Sequence, residues 1–498
     1  MRDRSETQGL LNGAGFLKES SQRWFLLLIS IYTVLLTYSL LQGWTFVAGT
    51  PILLLIGLWM VFSLDIAVFF GVFVTPLSIN LAETKLGIGV SLPSEPLMFA
   101  LFLLFWLKLY IDKRLDRRIF LHPVSLVILA HLAWFIVTTT QSSMPLVSIK
   151  YTLARLCYVS VFYFMLLYVF SERKNILKFI WIYLIPLLAV VIYTVARHAM
   201  EGFAEEPAHT SMVPFYNDHT AYAAVLSFFI PVMIGLTADK NRSKNARWIS
   251  GIVAFVLVVA TVLSYTRAAW VGLTAAFCAY LIFVMRMKSA LVYGGIVMVL
   301  MLAFLFRTQI TMELESNQEV SSDDYASHLQ SIGNISSDDS NVERLNRWAC
   351  ALRMFAEEPF LGFGPGTYMF KYGAFQKFSE RSGISTNFAE GGGSHSEYLG
   401  PLSEQGLLGP LLFLLIIAVT VQTTATFMVR TRNSSEKLLA RSVLLGLVTY
   451  WVHGLLNFFL DTEKLSVPFW GFIAILVALQ IYRDPVVKTT SGNASAGQ

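Results

Sequence analysis

Apolar residues run through this chain in long blocks, and the length of the blocks constrains the fold more than any other feature. Runs of roughly 18 or more apolar residues recur between residues 24 and 482. A hydrocarbon core of ~30 Å takes about 20 helical residues at 1.5 Å each, so blocks of this length read as transmembrane helices. Only 14% of the 498 residues are charged, against ~25% in an ordinary soluble domain. The expected fold is an all-α polytopic membrane protein. The runs fall at 24–41, 44–63, 66–80, 95–110, 121–139, 154–170, 177–197, 219–237, 248–265, 268–285, 290–306, 405–428, 443–460 and 466–482. The run at 66–80 is short and carries Pro76, so about 12 to 14 spans are expected.

The first run is too long for the core of a cleavable signal, so it is read as a membrane helix behind a polar tail, 1–23. Cys157, Cys278 and Cys350 include no CxxC pair and indicate neither a redox couple nor a structural zinc site. The net charge of +5 reflects topology rather than nucleic-acid binding, because the cations cluster in short connections. Lys108, Lys113, Arg114, Arg117 and Arg118 share one loop. Lys240, Arg242, Lys244 and Arg247 share a second, and Arg430, Arg432, Lys437 and Arg441 a third. Counting helices alternately puts these loops and both termini on one side, which the positive-inside rule makes cytoplasmic. A helix bundle over 24–306 is then followed by one large external loop, 307–404, by further spans over 405–482, and by a cytoplasmic tail, 483–498.

The external loop begins with a polar stretch through residue 340, "ESNQEVSSDDYASHLQSIGNISSDDSN" in its core. From Val342 the pattern becomes helical, with Leu345, Trp348, Leu352 and Phe355 at three- and four-residue spacing and Pro359 as a stop. A glycine-rich turn, "GFGPG", and a second short helix, "KYGAFQKFSE", follow. The turn is not a nucleotide loop: it follows no strand and lacks the lysine of a P-loop. Asp323–Asp324 and Asp338–Asp339 lie in polar sequence without further ligands at metal spacing, so no metal site is expected.

External cations run against the positive-inside bias. Lys150 and Arg155 flank the outer end of the 154–170 run, Arg267 sits in the tight turn "SYTRAAW", and Arg344 and Arg347 lie three apart on the loop helix. One reading is snorkelling, with basic heads among lipid headgroups. The other is a phosphate site, since converging guanidinium groups bind phosphate oxygens bidentately. His395, in "GGGSHSEYLG", precedes the 405–428 run, and Asn217 and His219 precede the 219–237 run. An imidazole at either place can take a proton from a hydroxyl, or simply hydrogen-bond at the membrane edge.

These stretches together resemble the O-antigen ligase family and its wider relatives, the O-antigen polymerases and O-oligosaccharyltransferases. In the ligases a His is followed by Asn, Ser or Gln, nine residues, Gly, two residues and a Gly, Thr or Tyr. Here His395 and Ser396 precede nine residues, then Gly406, Leu407, Leu408 and Gly409. "LSYTRAAWVGL" is similar to the family's Arg-containing turn, and "ERLNRWACALRMFAEEPFLGFGPGTY" to a stretch of its periplasmic loop. "FYNDHTAYAAVLSFFIP" is similar to its Asn-rich helix entry, so the resemblance covers about residues 200–460. It implies transfer of a polysaccharide from undecaprenyl diphosphate to a sugar hydroxyl of the lipid A core, at the periplasmic face of the inner membrane. It implies His395 as the base and Arg267, Arg344 and Arg347 as partners of the diphosphate. Lys150, Arg155, Asn217 and His219 are further candidate substrate contacts, Gly406 and Gly409 are read as packing positions at the helix start, and the resemblance implies no metal, ATP or other cofactor. Membrane lipids are the remaining partner, and nucleic acid is not one. A polymerase, a protein O-oligosaccharyltransferase and, from a different class, a polysaccharide flippase are the alternatives.

Overall fold

The computed structural model describes residues 30, 32–39, 64–81, 90–112, 116–285, 339–381, 385 and 392–482. The chain divides into two compact units, Met1–Ala67 and Val68–Gln498. In the first, the described residues are a helix over 32–39 and the start of α1 (Leu64–Val74). The expected spans at 44–63 and 290–306 lie outside the described residues, as does most of 24–41.

The second unit is a helical bundle. After α1 come a 3-10 turn, Thr75–Leu77, and a small antiparallel hairpin, β1 (Ile79–Leu81) with β2 (Val90–Leu92). The end of the expected 66–80 span is therefore strand rather than helix, because Pro76 lies in the turn that closes α1. The long helices are α2 (Ser94–Asp112), α3 (Pro123–Thr140), α4 (Pro145–Val159), α5 (Lys174–Met200), α6 (His219–Ala238), α7 (Lys244–Leu263) and α8 (Arg267–Val284). They continue with α9 (Asp339–Glu357), a short α10 (Leu399–Gln405), α11 (Leu408–Arg430), α12 (Ser434–His453) and α13 (Glu463–Ile481). A π-helical segment, Ser160–Met165, carries α4 on into Leu166–Val169. Among the described residues nine helices are long and apolar enough to cross a membrane. The protein is thus an all-α polytopic membrane protein.

Two further spans differ from the sequence reading, both by starting nine residues earlier. α4 begins at Pro145, not 154, so Lys150 lies within the helix rather than beside it, and Arg155 lies well inside it rather than at its outer end. The Arg155 guanidinium is accommodated there by aromatic faces, 5.6 Å from the Phe135 ring centre and 5.9 Å from that of Tyr151. α12 begins at Ser434, not 443, because Asn433 caps it, its side chain accepting from the N–H groups of Ser435 and Glu436. Arg441 then falls inside α12, over the Tyr280 ring at 5.3 Å. A cation on an aromatic face is stabilised by the ring quadrupole, so charge in these turns does not mark a loop.

α13 runs through the middle of the bundle. It is apolar on every side and nearly all of it is buried, the pattern expected of a helix surrounded by other helices. It packs against α11, α12, α6 and the π segment. Glycines set the closest approaches. A Cβ on Gly272 of α8 would lie 2.5 Å from the Thr449 carbonyl oxygen of α12, and one on Gly446 of α12 would lie 2.5 Å from that of Phe228 in α6. These contacts bring the ends of α6, α8 and α12 together.

The basic connections meet at one end of the bundle. Arg173 pairs with Glu436 and donates to the Tyr482 carbonyl at 2.9 Å. Asn241 donates to the Ser435 hydroxyl, which in turn donates to Asp239, each at 2.9 Å. Arg118 lies 5.7 Å from the Tyr482 ring centre. The starts of α4, α6, α8, α11 and α13 and the end of α12 point to the other end, where α9 and α10 lie.

Candidate active site

His395 stands in an irregular strand of chain, 392–398, that is held from both sides. On one side, Arg347 of α9 donates from Nη1 to the Gly393 carbonyl at 2.9 Å. On the other, the Glu397 N–H donates to the Gly454 carbonyl at 2.8 Å, just past the end of α12. Ser396 turns the strand into α10, its hydroxyl accepting from the N–H groups of Tyr398 and Leu399 at 3.3 Å each. Between these anchors His395 has φ +49°. A non-glycine residue in this region costs about 1–2 kcal/mol and persists only where its surroundings over-determine it. Burial pushes the imidazole down to about 4, and the nearby Arg347 and Arg344 charges push the same way, opposed by Asp218 and Glu343. At neutral pH the ring is uncharged and able to accept a proton.

Arg344 and Arg347 come from α9, which carries two faces. The buried one is Glu343, Asn346, Arg347, Cys350, Ala351 and Met354, while Leu345 and Leu352 of the expected stripe are exposed. Cys350, Ala351 and Met354 pack with Tyr368 and Tyr372. Small residues there let α9 approach closely, and its buried polar groups satisfy one another. Arg347 is only 7% exposed: Nε bonds Glu343 at 2.6 Å, one turn away, and the guanidinium lies 5.2 Å from the Tyr372 ring centre. Its donors are therefore engaged with Glu343 and Gly393. Arg344, half-buried, is near enough that its charge acts on His395, on His219 and on His453.

Arg267 is the first residue of α8. Tyr265, with φ +49°, turns the chain, and the Thr266 hydroxyl donates to the His219 carbonyl at 3.3 Å. The Arg267 turn is thereby fixed to the start of α6. There Asp218 caps the helix, accepting from the Thr220 N–H at 2.7 Å, and its carboxylate lies 3.3 Å from His219 Nδ1. The His219 ring stacks on that of His209, centroids 4.2 Å apart. His395, Arg344, Asp218 and His219 thus form one electrostatic cluster, and Arg267 follows Thr266 in the turn tied to it. Asn217 is exposed beside it. Lys150 is exposed on α4. Arg155 is buried and lies with a different group, the carboxylates of Glu397, Asp461 and Glu404.

The glycines of this region are packing positions. Gly406 has φ +66° and its Cβ would stand 2.2 Å from the Phe360 carbonyl oxygen. A Cβ on Gly409 would stand 2.7 Å from the Gln405 Cβ. Gly362, Gly364 and Gly366 of "GFGPG" all have positive φ, and the Gly364 N–H donates to the Glu404 carbonyl at 2.8 Å. The turn joins α10 to the α3–α4 connection, where the Ser143 N–H donates to the Phe363 carbonyl at 3.0 Å.

Several residues here were not legible as site components. Asp218, Glu343 and Glu397 read as loop or helix-surface acids. His209 and His453 have no local motif, yet His209 stacks on His219 and His453 is buried at the end of α12. Glu397 alone had a signal, as the second residue after the motif histidine. Beyond it, Asp461 and Glu404 are pushed up to about 7, chiefly by burial.

These features define a polytopic membrane protein with a histidine and several arginines gathered where helix ends meet a compact loop. Residues 252–414, about a third of the chain, match the family model described as O-antigen ligase. The resemblance read from the motifs is borne out over this stretch, which holds Arg267, Arg344, Arg347, His395, Gly406 and Gly409. Asn217 and His219 fall outside it. A search of curated proteins finds no match. The family implies a membrane glycosyltransferase-like enzyme that works on lipid-linked glycans.

Proposed function

We propose that the protein is an O-antigen ligase, moving a polysaccharide from undecaprenyl diphosphate to a sugar hydroxyl of the lipid A core on the periplasmic face of the inner membrane. The observation that carries this reading is the uncharged imidazole of His395 held among arginines, the pairing that glycosyl transfer from a diphosphate needs. The acceptor hydroxyl attacks the anomeric carbon as the bond to the diphosphate oxygen breaks. His395 takes the hydroxyl proton, and Arg344 and Arg267 offset the charge that develops on the departing diphosphate. Attack opposite the leaving group inverts the anomeric centre. Arg347 acts at one remove, by holding Gly393 and Glu343. The basic connections gather at the end away from His395, which supports a periplasmic site.

The test is a glycan profile of a strain lacking the gene, complemented with wild type or His395→Ala. A ligase predicts long lipid-linked polymer accumulating in both the deletion and the variant strain, and lipopolysaccharide without O-antigen. Single lipid-linked repeats would mark a polymerase instead, and precursors stalled on the cytoplasmic face a flippase. Lipopolysaccharide still capped with long O-antigen in the His395→Ala strain overturns the reading.

A further inference from the structure

The strand that carries His395 is locked to the α12–α13 connection by one side chain that plays no part in the chemistry above. Glu397 is 7% exposed. Its Oε1 accepts from the Tyr450 hydroxyl at 2.5 Å, from the Phe459 N–H at 2.7 Å and from the Leu460 N–H at 2.9 Å. Its own N–H donates to the Gly454 carbonyl at 2.8 Å. The next residue repeats the attachment, with the Tyr398 hydroxyl donating to the Trp451 carbonyl at 2.8 Å. The fit is tight on both chains: a Cβ on Gly454 would lie 3.0 Å from Glu397 Cγ, and one on Gly393 1.8 Å from the Phe458 ring. A buried carboxylate is costly to leave unpaired, and here three donors converge on one oxygen. The segment 454–460 is irregular and would not hold one shape without partners for its N–H groups.

We propose that Glu397 is the positioning residue for His395: its carboxylate ties Tyr450, Phe459 and Leu460 together and so fixes the strained backbone on which His395 is aimed. Arg347, bonded to Gly393, holds the same strand from the opposite side. The inference rests on the reading of His395 as the base. A displacement of ~1 Å at a reacting group can cost about a hundredfold in rate, so a strut two residues away is enough to matter. The hydrogen bonding is geometric, because all three donors are neutral and Arg155, whose charge acts on Glu397, is not among them. A glutamine, which keeps the accepting oxygen, should therefore replace the glutamate, and an alanine should not.

The experiment uses the full chain in nanodiscs, with an undecaprenyl-diphosphate oligosaccharide as donor and lipid A-core lipopolysaccharide as acceptor. Glu397→Ala should lower kcat by about tenfold or more while donor KM stays within about twofold, and Glu397→Gln should recover most of the loss. A second readout needs no turnover. Diethyl pyrocarbonate modifies neutral imidazole, and mass spectrometry reports its rate at His395. That rate should rise several-fold in Glu397→Ala and return in Glu397→Gln. Wild-type kcat and labelling in Glu397→Ala overturns the proposal, and so does a glutamine variant as damaged as the alanine one. If Glu397→Ala does not yield folded protein, Tyr450→Phe removes one donor of the three, and unchanged labelling and kcat there count against it equally. A wild-type protein inactive toward this donor and acceptor fails the functional reading instead, leaving the labelling to decide on Glu397.

Discussion

At the scale of single residues, His395 poses a chemical tension. Burial and two arginine charges hold its imidazole down to about 4, so it is unprotonated wherever a cell works but weak as a base. The donor of the proposed reaction would relieve this. A diphosphate beside Arg344 brings negative charge that offsets the arginine effect, and the His395 pKa must then rise. The pH profile should show it. kcat/KM, which reports the free enzyme, should fall as pH drops through about 4, and kcat, which reports the complex, should fall at higher pH. The sign is fixed, since activity requires the neutral ring and is lost on the acid side in both. An acid limb of kcat at or below that of kcat/KM would remove the base role. A limb near 7 would report Asp461 and Glu404, which are pushed up to about 7. Arg347 gives a second prediction at this scale. Arg347→Ala leaves the Glu343 carboxylate buried without its cation and the Gly393 carbonyl without its donor. Breaking a buried pair by removing one partner costs about 3–5 kcal/mol, so thermal unfolding in detergent should shift clearly downward. Arg344→Ala, on the half-exposed neighbour, should mainly raise donor KM with a far smaller shift.

At the scale of elements, what could be read from sequence was what lies close along the chain. The motif spacing from His395 to Gly406 and Gly409 is local, and so are the Ser396 cap and the stop of α9 before Pro359. Span positions failed where a cation was taken to mean a loop: Lys150 and Arg441 lie within helices, and a ring from another helix covers Arg441. The role of Arg347 was hidden because Gly393 is 46 residues away, and that of Glu397 because Tyr450 is 53 away. Nor does a hydrophobic stripe state which face of α9 turns inward when the opposite face carries matched polar partners. The motif glycines give the prediction that belongs here. Gly406→Ala adds about 1–3 kcal/mol of backbone strain at φ +66° and ψ −167°, a region that is essentially glycine-only, and its Cβ meets the Phe360 backbone, which cannot rotate away. The junction of α10 and α11 should open, with faster proteolysis after α9 and loss of transfer. Gly202→Ala, also at positive φ but with nothing within 4 Å of the added Cβ, should carry the strain alone and be markedly milder. Equal stability in the two variants would show that the close approach at Gly406 does not matter.

For the whole molecule, the bundle sorts its charges by end, and the sorting makes sidedness testable. The links among Arg118, Arg173, Asn241, Ser435, Glu436 and Tyr482 put the basic connections together. The positive-inside bias predicts that end to be cytoplasmic, and the proposed function needs the His395 end to be periplasmic. An impermeant maleimide reads this directly. Cys278 is exposed and is first changed to alanine, while Cys157 and Cys350 are buried. In that background a cysteine at Phe378, 90% exposed in the compact loop region, should label in intact spheroplasts. A cysteine at Lys244, exposed at the start of α7, should label only after lysis. The reverse pattern would place the arginine-lined site in the cytoplasm, where a donor translocated to the outer face could not reach it, and the ligase reading would fall whatever His395 does. Labelling at both positions in intact spheroplasts would mean leaky membranes, which a cytoplasmic marker enzyme assayed in the same samples detects. The expected pattern requires an odd number of crossings between Lys244 and Phe378. α7 and α8 are two, so the stretch after α8 must cross an odd number of times. A single passage by the apolar run at 290–306 meets that count, and cysteines placed at either end of that run would check it.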